Sequence, residues 1–312
     1  MTDVLPVPTA RADAAPDRER VAERLIESSL KLSFDPQVDI AWDEPFEGSW
    51  FVPERLVSLY GTPLWDRMSE TQRKELSRHE AVSMLCAGYW FELILDQILV
   101  RHLWREDPAS AHARFALTEV GDETRHSLMF MRMVAKMGGA GDYGFDRRGR
   151  RWGWLLKTLA RGGEGFAAAL IAEEILDAGQ REVVREPTCE PLFRELCRIH
   201  VTEEARHVSY ARDELARRVA AMGPLRREWS RLVTLLSGRV IQDAMVDPRV
   251  YAAVGLDPAE ALRAAARNPA RRAAGYRLTR RLVRVLTEAG LIGGPTRRLW
   301  EREGLVDRRP IG

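Results

Sequence analysis

The stretch HVTEEARH, residues 200–207, sets His200, Glu203, Glu204 and His207 close together. On a helix, side chains three and four positions apart share a face. At ~100° per residue, His200, Glu204 and His207 fall within roughly 60° of one another, and Glu203 points elsewhere. Carboxylate and imidazole on one face form a ligand set suited to iron. Further acids sit inside apolar segments: Glu92 and Asp96 in FELILDQIL, Glu123 with His126 in GDETRH, and Glu173, Glu174 and Asp177 in AEEILDAGQ. A lone Glu-x-x-His on an arginine-rich helix is most often a solvated face, so the spacing has to decide.

Glu92 and Glu123 are 31 residues apart, and so are Glu173 and Glu204. Adding 81 takes Glu92 to Glu173, Asp96 to Asp177, Glu123 to Glu204, Arg125 to Arg206 and His126 to His207. This is an internal repeat of two helix pairs. The register also selects Glu173 over Glu174, because Glu174 falls on Leu93. One Glu from each of two helices and a Glu-x-x-His from each of two others is the arrangement that holds two iron or manganese ions in a helical bundle. Four glutamates buried together repel one another and lose hydration, or else stay protonated. Two divalent ions cancel the four charges.

The elements that must position these residues read as helices: about 17–31, 69–104, 109–137, 165–186, 189–221, 225–247, 257–267 and 269–289, with a shorter one near 152–162. Pro191 falls in a first turn, with Thr188 as the expected cap. Four long apolar helices predict an all-α, ferritin-like four-helix bundle with additional flanking helices. Residues 1–17 have the composition of a disordered tail, and 18–312 read as a single domain. The 312 residues are 45% hydrophobic and carry a net charge of +2, which gives no nucleic-acid footprint. No apolar run approaches the ~20 residues that a membrane span needs, and no secretory signal is expected at the start of the sequence. Cys86, Cys189 and Cys197 show no metal-knuckle spacing and suit buried thiols in a reducing cytoplasm.

Asp122-Glu123-Thr124-Arg125-His126 and Glu203-Glu204-Ala205-Arg206-His207 resemble the [D/E]-E-x-R-H motif of diiron carboxylate proteins. The resemblance implies that Asp122 and Glu203 bond the ring N–H of His207 and His126, with Arg125 and Arg206 supporting them and Asp96 and Asp177 nearby. His200 narrows the family. The pattern His200-x-x-x-Glu204-x-x-His207 looks like the arylamine N-oxygenases of the p-aminobenzoate type, over roughly residues 20–290. By that likeness the metal ligands are Glu92, Glu123, His126, Glu173, His200, Glu204 and His207. At the position matching His200 the first repeat carries Glu119.

The implied activity is O2-dependent oxidation of an amine to hydroxylamine, nitroso and nitro products through a bridging peroxide on two irons, as in secondary metabolism. It implies O2, a small-molecule amine and an external electron donor, a ferredoxin or a reductase. Tyr89, Phe130 and Tyr210 lie within a turn of ligands and are candidate pocket residues, beside the bland reading as core. Arg277, Arg280 and Arg281 read as an anionic anchor or as a solvated face. A homodimer would cover apolar outer faces. The competing readings are a diiron hydroxylase or desaturase acting on carbon, and a non-enzymatic iron-binding bundle. Anaerobic reconstitution with Fe(II), followed by metal analysis, is expected to leave about two ions per chain; a content well below that overturns the metal reading.

Overall fold

Ser69 ends a loop and starts the longest helix. Its hydroxyl accepts from the Gln72 amide at 3.2 Å while the Gln72 side chain accepts from the Ser69 amide at 3.0 Å, a reciprocal cap. Asp17, Ser110, Asp257 and Asn268 cap other helices through the side chain alone, each accepting one first-turn amide. The resulting elements, in the computed structural model, are α1 (Arg18–Lys31), α2 (Pro36–Asp39), α3 (Pro63–Arg67), α4 (Glu70–Leu103), α5 (Ala111–Lys136), α6 (Gly163–Arg185), α7 (Pro191–Ala220), α8 (Pro224–Ala244), α9 (Arg249–Ala253), α10 (Pro258–Arg267), α11 (Pro269–Glu288) and α12 (Arg297–Arg302). The structure describes residues 17–139, 143, 151, 153, 154, 158, 162–302 and 306. The expected tail before residue 17 and most of the expected helix near 152–162 lie outside them. Among the described residues there is no strand, only an isolated bridge between Trp50 and Cys189.

The long helices fall within a few residues of the spans expected from sequence. Short α2, α3 and α9 were not expected. They are single turns held by capping and by packing on neighbours, and carry no periodic signal of their own. Thr188 is not the cap of α7. Its hydroxyl donates to Glu186 at 3.0 Å, and Glu190 holds the cap position ahead of Pro191. The Glu190 carboxylate instead accepts the Glu47 and Ser49 amides at 3.0 and 2.6 Å. Helix α4 is long and apolar enough to cross a membrane by length and composition, but 61% of its apolar window is buried in the protein.

Four helices form the bundle, and their buried apolar residues fall into two layers. Leu76–Cys86 of α4, Met129–Val134 of α5, Leu176 and Val183 of α6 and Leu192–Ile199 of α7 build the first. Phe91–Leu99, Ala111–Ala116, Phe166–Ala172 and Tyr210–Val219 of the same helices build the second. Helices α4 and α7 run from the first layer to the second; α5 and α6 run back. Consequently α4–α5 and α6–α7 are antiparallel hairpins, and the connection from α5 to α6 is a crossover between parallel helices. Gly138, at φ 64°, stops α5 where that connection begins. The charged residues of interest lie between the layers.

Outer elements cover the bundle. Helix α1 packs on α5 and α7, α8 and α11 on α6, and α9 on α4. The loop before α4 lays Trp42, Phe51, Leu59 and Trp65 over the first layer. All three cysteines are buried and unbridged. On α8, Leu225, Trp229, Leu232 and Leu236 stay exposed at helical spacing.

Ser77 joins that loop to α4. Its hydroxyl accepts the Phe51 and Val52 amides at 2.9 and 2.8 Å. Ser77→Ala strands two buried N–H groups and is expected to cost about 2–4 kcal/mol. Thermal denaturation should show it as a melting temperature several degrees lower.

Candidate metal centre

Between the two apolar layers the bundle brings together all seven side chains singled out in the sequence. Glu92 comes from α4, Glu123 and His126 from α5, Glu173 from α6, and His200, Glu204 and His207 from α7. Each is at most 3% exposed. Their donor atoms form overlapping groups, each within 4.8 Å: Glu123–His126–Glu204–His207, Glu92–His126–His200, Glu173–His200–Glu204 and Glu92–Glu123–Glu173.

The two Glu-x-x-His pairs face each other. His126 Nδ1 lies 2.9 Å from Glu123 and 3.4 Å from Glu204. His207 Nδ1 lies 2.8 Å from Glu123 and 3.1 Å from Glu204. The Nε2 atoms point outward to acids of the opposite hairpin: His126 Nε2 donates to Glu203 at 2.9 Å and His207 Nε2 to Asp122 at 3.2 Å. A carboxylate only accepts, so these bonds fix a proton on Nε2 and leave Nδ1 facing the centre. Arg206 reaches Asp122 at 3.3 Å and Glu203 at 3.6 Å, and donates to the Leu32 carbonyl at 2.8 Å. Arg125 pairs with Asp122 and stands 3.9 Å from Glu203. The Phe34 amide completes Glu203 at 3.1 Å. The linker after α1 therefore closes the back of the site.

Asp96 and Asp177, equivalent in the repeat, do not reach a histidine ring. Asp177 turns to Arg181 at 2.6 Å. Asp96 is half-buried and pushed up to about 7 by burial and Glu123. Glu174 pairs outward with Arg212 and Arg281. Arg277 and Arg281 of α11 are exposed and lie 3.8 and 3.7 Å from Glu182 and Glu174, and Arg280 is exposed, so this basic helix presents a solvated face to the outside of α6.

Electrostatics show how the cluster resolves its repulsion. Burial, with Glu123 and Glu204 beside it, raises Glu92 well above the ordinary carboxyl range; burial with Glu204 and Glu92 does the same to Glu173. Burial opposes charge on His126 and His207, but their carboxylate partners outweigh it and raise both. Those imidazolium charges in turn outweigh burial and hold Glu123 and Glu204 low. Asp122 is held down at about 2, its bond from His207 overcoming burial. His200, buried beside His126, is lowered to about 3 and stays neutral.

The donor set fits two metal ions. Oε2 of Glu92, Glu173 and Glu204 and Nδ1 of His200 are buried without a hydrogen-bond partner. Elsewhere Glu80 is satisfied by Ser58, Glu164 by Arg226 and Ser230, and Glu190 by the two amides already described, while one oxygen each of Asp96, Glu119 and Asp177 is also without a partner. Bare lone pairs converging among seven ligand-type side chains are what a dinuclear site requires.

Phe130 lies against His200, ring centroids 4.9 Å apart. Gly88 permits this, since a Cβ there would come within 3.0 Å of the Phe130 ring. Tyr89 is half-buried and packs edge-on to Trp90. Tyr210 faces away from Phe130: its hydroxyl lies 3.1–3.2 Å from His112, among His102, His112 and Glu214. Sequence reading overlooked that group, and treated Glu119 only as a break in the repeat. Glu119 is 2% exposed, and Oε2 has no partner. The seven-residue step from His112 to Glu119 and the four-residue step on to Glu123 were the available signal.

A helical bundle with paired Glu-x-x-His and cross-bonded outer acids defines the ferritin-like diiron class. Residues 15–290 match the family described as P-aminobenzoate N-oxygenase AurF, and the chain belongs to that family. It is also 31% identical over 248 residues to uncharacterised proteins of Mycobacterium tuberculosis (Rv0885) and Mycobacterium bovis (Mb0909), covering 76% of this chain and 72% of each relative.

The outer acids give a direct test. Asp122→Asn and Glu203→Gln are each expected to lower iron affinity by about 10–100-fold, read by competition with a chelator, while helix content by circular dichroism stays unchanged.

Proposed function

We propose that this protein is an O2-dependent diiron N-oxygenase that converts an arylamine to its hydroxylamine and more oxidised products. The observation that carries the reading is His200. A third histidine reaches a centre that the repeat would otherwise supply with two, its Nε2 3.4 Å from Glu92 and 3.6 Å from Glu204. Two iron ions held by Glu92, Glu123, His126, Glu173, His200, Glu204 and His207 would supply O2 activation. Manganese suits the same donors.

The chain's own residues set the rest. Glu203 and Asp122 orient the two imidazoles and make them better donors. His200 would add a neutral nitrogen donor to the set that holds the metals. Phe130, Met129 and Phe193, fully buried, keep water from that side, with Phe130 packed against His200. Tyr89 would line the approach. Electrons come from an external ferredoxin or reductase, and the exposed apolar stripe on α8 supports pairing with a second copy of the chain.

The test is anaerobic loading with Fe(II), rapid mixing with O2, and optical monitoring with and without p-aminobenzoate. The expected result is a visible band whose decay is accelerated by the amine, with hydroxylamine or nitro product by mass spectrometry. A band indifferent to every amine redirects the reading to oxidation of carbon. Iron oxidation without any band redirects it to iron handling. His200→Ala should keep most of the bound iron and lose N-oxygenation by about tenfold or more; unchanged N-oxygenation removes His200 from this role.

A further inference from the structure

The 81-residue repeat breaks systematically at one end of the bundle. It takes His102 to Val183, His112 to Phe193 and Glu119 to His200; in reverse it takes Tyr210 to Met129 and Glu214 to Met133. Val183, Phe193, Met129 and Met133 are buried apolar core. Their counterparts form a polar column in the second layer. On α5, His112, Glu119 and Glu123 share one face, and on α7, His207, Tyr210 and Glu214 share another. Polar groups in a core layer are costly unless each finds a partner, so four of them opposite apolar equivalents, in one column with Glu119, call for a role.

Contacts run from Glu106 as far as Tyr210, and helical spacing along α5 carries the column on to Glu119. Glu106, partly open to solvent, lies 3.4 Å from His102 Nδ1. His102 Nε2 lies 2.8 Å from His112 Nε2. His112 Nδ1 lies 3.2 Å from the Tyr210 hydroxyl. Glu119, whose Oε2 has no partner, acts electrostatically on Tyr210, and stands one turn from Glu123. A metal ion among His102, His112 and Glu214 is disfavoured, because Arg18 already fills that place. Arg18 donates to Glu214 at 2.8 Å, to Glu106 at 2.9 Å and to His112 Nε2. Arg218 adds bonds to His102 at 3.1 Å and Glu214 at 3.3 Å. Burial and these guanidinium groups lower both imidazoles to about 4, so a proton is not trapped on either ring.

We propose that Glu106, His102, His112, Tyr210 and Glu119 form a proton path from solvent to the diiron centre. The proposal rests on the oxygenase reading above. N-Hydroxylation, RNH2 + O2 + 2 e− + 2 H+ → RNHOH + H2O, takes two electrons from the external donor and two protons from solvent. His102 takes a proton at Nδ1 as Arg218 gives up that lone pair, and releases one from Nε2; His112 takes it at Nε2 as Arg18 swings its N–H to the glutamates, and releases one from Nδ1 to Tyr210. Tyr210 then passes its hydroxyl proton to Glu119. At each hop one N–H or O–H bond breaks as the next forms, and no electron moves along the column.

The full-length protein, loaded with Fe(II) and given ascorbate as reductant, is mixed with O2 and p-aminobenzoate in weakly buffered solution containing a pH indicator. The wild type, Glu119→Gln, His112→Phe, Tyr210→Phe and the apolar-side control Met133→Leu are compared. The path predicts that the three column variants bind two irons yet take up protons about tenfold or more slowly, with an enlarged solvent deuterium isotope effect. Met133→Leu should match the wild type. Independently of turnover, nitrogen-15 NMR of the metal-free protein should find His102 and His112 neutral at neutral pH, and Tyr210→Phe should shift the His112 tautomer. Iron-loaded column variants that take up protons within about twofold of wild type overturn the path. If the wild type reduces O2 without touching the amine, the N-oxygenase reading falls, while the proton-uptake comparison still decides the path.

Discussion

Four glutamates forced into one dry layer are the constraint around which the molecule is arranged. Two unit charges 4 Å apart repel by about 4 kcal/mol at an effective dielectric of 20. The chain compensates in three ways visible in the site: two imidazoles held positive, two carboxyls held neutral, and oxygens left bare for metal. Apolar layers above and below keep water from screening the charges. Without them the same residues would be a solvated helix face.

The compensation extends outward through bonds that cross between the hairpins. Asp122 of one hairpin holds His207 of the other, and Glu203 holds His126 in return. Arg206 bonds both acids as well as the Leu32 carbonyl, and Arg125 reinforces them, so the linker between α1 and α2 belongs to the centre although it is distant from every ligand in sequence. Helix α1 thereby acts at both ends: its C-terminal linker backs His126 and His207, and Arg18 at its N-terminus balances the glutamates around His102 and His112.

What could be read from sequence was whatever repeated. The 81-residue offset identified the helices that meet, separated Glu173 from Glu174, and paired each Glu-x-x-His with its equivalent. It failed where the halves differ. Asp96 and Asp177 match in register, yet Asp177 is captured by Arg181, a local contact that a pattern of types does not rank. Tyr210 is one turn from His207 but faces His112, because α5 and α1 approach α7 there; only the packing of three helices shows it. Thr188 has the chemistry of a cap, but the backbone at Glu190 occupies that position. The single-turn helices depend on capping and on the surfaces beneath them.

The parallel relation of α5 and α6 bears on how the chain assembles. Each hairpin, α4–α5 and α6–α7, brings together residues close in sequence and can form early. The bonds that complete the centre, Asp122 to His207 and Glu203 to His126, span more than seventy residues and form only when the hairpins dock. Docking also brings the carboxylates face to face, so the last step of folding is the one most opposed by charge. The donor set that would hold two divalent ions is complete only after that step, so metal binding and hairpin docking would favour each other.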